Sequence, residues 1–391
     1  MNGRKSLSVM FAASFASTIG GLPFNTLPVL LGSLADSFGF SAEQIGRLGA
    51  ACFAGYLLGT LVSVASMDRL NWRWLTLGCA GGAALVLLAS SQLPAQAQLP
   101  LWVLLGFFSA LMTCLGLRIM AEMLDKERAL GLRQGVELAF VAAVLFILPS
   151  LVITRFHYPG AALFLACIVL VLSLSAFALP HRCDFGSSTV KNQALTLAAS
   201  FSFPPVAYVA LFFFFLFGTG QIGLWAFLER FGNALALQPT ELGIVFAVLK
   251  LLGGAAALVL ALAGNRFSLG IPYLLTLVTI SLGLLLLGKA EGFLLYALGS
   301  WIWEVGFTWG CIFQTAAIAR LDPSGRSIML IPAAFALSSI AGPLLAGKLI
   351  GESFTPLLWL ALGCAVIPLI GFYIFKLRHT TTKPLANAAA T

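Results

Sequence analysis

The chain has 391 residues, of which 60% are apolar and 9% charged, with a formal net charge of +8. A soluble domain carries about 25% charged residues, so this chain cannot cover itself with polar surface and its natural solvent is lipid. That excludes a soluble enzyme, and because the basic residues sit mostly in breaks between apolar runs it also excludes a nucleic-acid-binding face.

A spanning helix needs about 20 mostly apolar residues. The apolar runs predict twelve, over residues 7–33, 42–66, 73–93, 99–121, 133–153, 160–180, 204–228, 240–263, 268–288, 292–319, 328–350 and 356–375. Arg4 and Lys5 precede the first run, which is too long for the core of a signal peptide and is read as a retained spanning helix. Within it Ser14, Thr18, Gly21 and Asn25 fall on one face, which lines a cavity or bonds a neighbouring helix. Asp36 lies at its end and is expected to be solvated.

Asp68 and Arg69 follow the second span, Arg118 and Glu122 end the fourth, and Glu137 is placed near the start of the fifth. Together these five are read as an ion-pair cluster that latches a gate, or as side chains reaching for the headgroups. The longest polar break, 181–203, divides the chain into two sets of six spans. The expected organisation is an N-terminal bundle over 1–180, a linker over 181–203, a C-terminal bundle over 204–377 and a tail over 378–391.

In the seventh span Phe214, Gly218, Gln221 and Trp225 form a stripe that ends at Glu229. Lys250 lies deep in the eighth span and Glu304 deep in the tenth. An ionisable group there costs about 2.5–3.5 kcal/mol on insertion scales and normally faces a cavity or a partner. Both spans enter from the same side, so the two residues are expected at one depth as a charge pair. The pair is broken by substrate or proton in the functional reading, and is a static salt bridge in the structural one. Trp301, Thr308, Cys311 and Thr315 share the helix face of Glu304, whereas Trp303 and Trp309 point elsewhere.

Loop charge gives orientation. Sixteen of the 22 basic residues fall on the side of the termini and five on the other, so both termini and the 181–203 linker are expected in the cytoplasm. The seven cysteines are scattered, six of them inside apolar runs, with neither disulfide nor metal-ligand spacing, and no cofactor is implied. His157, His181 and His379 fall in loops or the tail, so no histidine proton relay is read.

The halves repeat. A shift of 197 residues lays Ser41–Gly46 on Gln238–Gly243, Asp68-Arg69 on Asn265-Arg266, and Leu124-Asp125 on Leu321-Asp322. Six spans separate the copies, so the repeat is parallel.

These residues resemble the major facilitator superfamily over essentially the whole chain. Asp68-Arg69-Leu70-Asn71-Trp72-Arg73 is similar to that family's Gly-x-x-x-Asp-Arg-x-Gly-Arg-Arg loop, with Val64 and Asn71 in place of its glycines. The stretches Asp125–Gly131, Leu321–Arg326 and Ala341–Gly347 also resemble family junctions. Two features depart: Trp102 stands where the family places an arginine early in the fourth span, and the fifth span has no Gly-Pro.

The resemblance implies a monomeric inner-membrane carrier of a small solute that works by alternating access, coupled to a proton or another ion. It also implies a central cavity bordered by the first, second, fourth, fifth, seventh, eighth, tenth and eleventh spans. Lys250 with Gln221 and Asn25 would hold a carboxylate or another anion, with Trp225 and Trp301 stacking on the rest. Efflux of a drug or metabolite is the main rival. A membrane-embedded enzyme is disfavoured, because no nucleophile–base constellation or metal cluster is visible, and a channel or a non-transporting receptor is a third possibility.

Overall fold

The computed structural model describes residues 3–67, 69–121, 123, 126–180, 205–263, 271–321, 330–351 and 353–381. These residues are helical, and they trace twelve traverses, here α1–α12. The first, α1, is Gly3–Asn25 continued by Leu27–Phe38. The break falls at Thr26, whose φ of −94° and ψ of 3° are not helical, between Pro23 and Pro28. A proline lacks the amide that would continue the ladder, so the two segments meet at a bend.

Then come α2 (Ala42–Ser66), α3 (Trp72–Gln92), α4 (Gln98–Ala121), α5 (Lys126–Ile147, with a π-helical end over Leu148–Ile153) and α6 (Thr154–Ser173). The second set is α7 (Pro205–Ala234), α8 (Pro239–Ala263), α9 (Ile271–Gly288), α10 (Phe293–Leu321), α11 (Ile331–Leu349) and α12 (Thr355–Thr381). Length and hydropathy alone pick out ten spans. One of these, Ala129–Ala178, is 50 residues long and is two traverses, because the chain turns at His157, where φ is +53°. The other missing traverse is α10, which is long enough but carries Trp301, Trp303, Glu304 and Trp309.

The repeat has a structural counterpart at the starts of α2 and α8. Ser41 donates its backbone N–H to Gln44 Oε1 at 2.9 Å, and Gln238 donates its own to Glu241 Oε2 at 2.7 Å. Each is a side chain three residues along reaching back to cap a helix start. Both members of the second pair lie 197 residues beyond the first.

Among the described residues the two halves touch chiefly along α2 with α11, α5 with α8, and α1 with α7. Gly46 and Gly49 pack on Pro343, and Gly347 on Ala42, while Gly243 meets Phe146 and Gly254 meets Leu138. Asp36 of α1 is ion-paired with Arg230 of α7. The residues named lie between the loops opposite the termini and about 22 Å below them, at 1.5 Å per helical residue. These contacts close the bundle on the side away from the termini, called here the far side.

Candidate functional site

Lys250 and Glu304 are each eleven residues past the starts of α8 and α10, about 16 Å from the far side and near the middle of a hydrocarbon core about 30 Å thick. Their exposures are 8% and 7%. The expected depth match holds. The expected charge pair does not form, since no Lys250–Glu304 contact falls within the 4.0 Å that defines an ion pair.

Instead the Lys250 ammonium lies 3.8 Å from the centroid of the Trp225 ring. The indole face is negative, and a desolvated contact of this kind is worth about 2 kcal/mol. It holds the amine while leaving its hydrogen-bonding capacity open. Trp225 is buried, its ring is edge-on to Phe246 at 5.8 Å, and its own Nε1–H has no acceptor. Glu304 packs against Gly253 of α8, where an added Cβ would stand 2.6 Å from a carboxylate oxygen. Glu304 and Glu137 are both within electrostatic reach of Lys250.

The other tryptophans of α10 hold that helix in place. Trp301 donates to the carbonyl of Val245 at 3.0 Å and Trp309 to that of Ala256 at 3.1 Å, both on α8. Trp303 is fully buried and donates to Gln221 Oε1 at 2.8 Å, while Gln221 donates to the carbonyl of Ala361 at 2.8 Å. Gln221 is thus 0% exposed with both ends of its amide in use, tying α7 to α10 and α12. Thr308 is half-buried one turn beyond Glu304.

In the N-terminal half Asn25 is 8% exposed and donates to the carbonyl of Gly21 at 2.9 Å and to Glu137 Oε1 at 3.3 Å. Glu137 Oε2 accepts from Arg133 at 2.6 Å, and Arg133 also donates to Ser17 of α1 at 2.9 Å. Both side chains are nearly enclosed, with exposures of 12% for Arg133 and 10% for Glu137. Gly21 leaves the room for this carboxylate, which occupies the place of any Cβ there. Ser14 and Thr18 bond to the carbonyls four residues back, so of the polar face of α1 it is Asn25 that reaches another helix.

This corrects the gate reading for Glu137. It lies eleven residues into α5, about 16 Å from that helix's start, in the interior with Arg133 and Asn25. Arg133, counted as a loop charge in the sequence, is an interior group. The signal that would have found it is the i, i+4 spacing of Arg133 and Glu137, the geometry of an intrahelical ion pair. Of the other residues assigned to the gate, Arg69 is exposed, Arg118 is half-buried and has an interaction partner, and Asp68 and Glu122 lie outside the described residues. Where the family resemblance leads one to look for an arginine in α4, Trp102 is 1% exposed, and a half-buried arginine, Arg133, comes from α5 instead.

The site so built contains two basic and two acidic side chains from α5, α8 and α10, aromatic faces, and an asparagine from α1. Among the described residues no cluster of three or more histidines, cysteines or acids could hold a metal ion. The described cysteines are all free, and Cys167 is exposed rather than buried.

The sequence model of the Major Facilitator Superfamily matches residues 9–327. The chain belongs to the Major Facilitator Superfamily. As a member it is a multi-pass membrane transporter and not an enzyme. Solved structures share the fold of this superfamily member at low identity. The nucleoside transporter NupG is 16% identical, with a TM-score of 0.71 over 95% of this chain and 98% of its own. A D-xylose-proton symporter is 12% identical, with a TM-score of 0.72 over 93% and 96%. A bacterial homolog of the human lysosomal transporter Spinster, inward-facing and unoccupied, is 13% identical, with a TM-score of 0.66 over 96% of each chain. No curated protein matches the sequence significantly.

Proposed function

We propose that this protein is a secondary active transporter that carries a small organic anion across the inner membrane by alternating access, coupled to a proton at Glu304. The observation that carries the reading is Lys250: a buried ammonium that rests on the Trp225 ring and has no carboxylate within ion-pair distance. A buried cation with open donors is costly unless an anion meets it. A substrate carboxylate placed over Trp225 would supply that anion. Asn25, Trp301 and Thr308 would border the same space.

Glu304 is the natural proton acceptor in this scheme. It is buried beside the same lysine and has no ion-pair partner. When it is ionised, Glu304 lends Lys250 a nearby negative charge. When it takes up a proton, that charge is lost and the anion replaces it, so proton and substrate enter together. The far-side contacts between the bundles over 1–180 and 204–377 support a state open toward the termini. The loop-charge bias supports placing the termini, the 181–203 linker and the 378–391 tail in the cytoplasm. The protein acts as a monomer in this reading, each chain carrying its own site. Proton coupling is a mode this fold accommodates, as the name of the D-xylose-proton symporter indicates for that protein.

The test is transport in proteoliposomes. Glu304→Gln is expected to abolish accumulation driven by a proton gradient while leaving substrate exchange largely intact. Accumulation at the wild-type level by this variant would refute the coupling.

A further inference from the structure

We infer that Glu229 is a second proton-binding site, at the far-side closure, and that losing its proton to that side opens the closure. Glu229 lies near the end of α7 and is 7% exposed. One of its oxygens accepts a 2.6 Å hydrogen bond from Asn233, and the other has no partner. Its carboxyl group is seated against Gly32 of α1, where it occupies the space of any Cβ. A buried carboxylate oxygen with no donor is costly as an anion, whereas the same oxygen bearing a proton is neutral.

The surroundings supply no cation dedicated to it. Arg230, the next residue, is within electrostatic reach of Glu229 but gives its guanidinium to Asp36 of α1. The hydroxyl of Tyr296, from α10, donates to the carbonyl of Leu228 at 2.7 Å. Asp36, from the other half, adds like charge nearby. The proton is therefore the ligand this place accepts while the two halves are together.

Space for water lies close by. A cavity of about 530 Å³ opens at the far end of the N-terminal half, lined by Ser33, Asp36, Ser37, Ser91 and His157 among others. Ser33, whose buried hydroxyl has no partner, follows Gly32 directly in α1, so the cavity reaches the residue next to the one that seats the carboxyl. In the step proposed, the O–H bond of the Glu229 carboxyl breaks, the proton passes to water in that cavity, and the carboxylate keeps the electron pair. The ionised Glu229 then competes with Asp36 for Arg230. Asp36 and Arg230 tie one half to the other, whereas Glu229 and Arg230 belong to the same half. Deprotonation therefore weakens the tie between halves and favours hydration of the carboxylate, and both effects open the far side.

The experiment measures far-side opening in full-length protein in nanodiscs, by spin-label distances between cysteines placed at Gln96 and Glu291 in a cysteine-free background. Both positions are exposed far-side loop residues, one in each half. In the otherwise unmodified protein the open-to-closed ratio should rise with pH between about 5.5 and 8.5, by up to about tenfold per unit, the limit for one linked proton. Glu229→Gln should hold the closed distance and remove the dependence, while His157→Gln, a change at another residue that lines the cavity, should keep it. In the infrared, Glu229→Gln should also lose one protonated-carboxyl stretching band. A flat profile in the parent protein, a retained profile in Glu229→Gln, a profile lost only in His157→Gln, or an unchanged infrared band would each overturn the proposal.

Discussion

The ammonium of Lys250 rests on the face of Trp225, 3.8 Å from the ring centroid, and is not ion-paired to Glu304. The arrangement separates two tasks that a salt bridge would merge. The ring holds the amine in place, and the carboxylate tunes the field it feels.

Lys250→Ala is therefore expected to weaken substrate binding rather than slow a later step. Loss of one partner of a buried charge contact costs about 2 kcal/mol or more, roughly thirtyfold in affinity. Trp225→Phe, which keeps a weaker aromatic face, should lose less than Trp225→Leu. Ligand-dependent thermal stabilisation of the purified variants measures both. Unchanged affinity in Lys250→Ala would return the residue to a packing role.

Arg133 and Glu137 are expected to stand or fall together. Glu137→Ala leaves a buried guanidinium with one of its main acceptors gone, and Arg133→Ala leaves a buried carboxylate. Each should lower stability by about 3–5 kcal/mol. Replacing both with leucine should cost much less than the sum of the single losses. A double-mutant cycle on detergent-solubilised protein reads the coupling, and additive losses would show that the pair is not the unit described here.

Gln221 is expected to matter for folding and not for the substrate. Gln221→Leu strands the indole N–H of Trp303 and the carbonyl of Ala361, at a cost of about 1–3 kcal/mol for each buried group. The melting temperature should fall while substrate affinity in the folded fraction holds. A variant with normal stability and lost binding would instead place the amide in the site.

Orientation is tested by labelling intact cells with an impermeant thiol reagent. A cysteine at Gln96 should react and one at Ser187 should not, as the loop-charge bias implies, fifteen to five once the interior Arg133 is set aside. The reverse pattern would invert the topology and place the far-side closure in the cytoplasm.

The class of protein, the twelve traverses and the matching starts of α2 and α8 were legible in the chain itself, whereas the other two junctions of the 197-residue repeat reach residues outside the described ones. Each rests on something local: the length of an apolar run, the charge of a loop, the residues that open a helix. The cost of an ionisable side chain in lipid is local too, which is why Lys250 and Glu304 stood out by position. Residues whose polarity is less costly, or which lie near a predicted helix end, gave no such signal. Arg133 and Glu137 fall at the edge of an apolar run, where the first reads as a loop charge and the second as a gate residue, yet α5 begins earlier than its hydropathy does and carries both into the interior.

What a polar side chain does once inside was decided by tertiary structure, because hydrogen-bond partners come from other helices. Gln221 and Trp225 lie one turn apart on α7, on one stripe that could line a cavity or bond a neighbouring helix. Packing against α10 and α12 occupies the first completely, and packing against α8 sets the second under Lys250. The same holds for the acids. Periodicity along one helix cannot show that Glu137, Glu229 and Glu304 are each seated against a glycine of a neighbouring helix, Gly21, Gly32 and Gly253. Nor can it show which cation Glu229 and Glu304 meet, although the i, i+4 spacing of Arg133 and Glu137 does mark that pair. Arg133 is bound to Glu137, Arg230 is drawn away to Asp36, and Lys250 lies near Glu304 but out of ion-pair reach. The Asp36–Arg230 contact depends on how the two halves are packed, and the Lys250–Glu304 distance on how α8 packs against α10; a single helix carries no record of either.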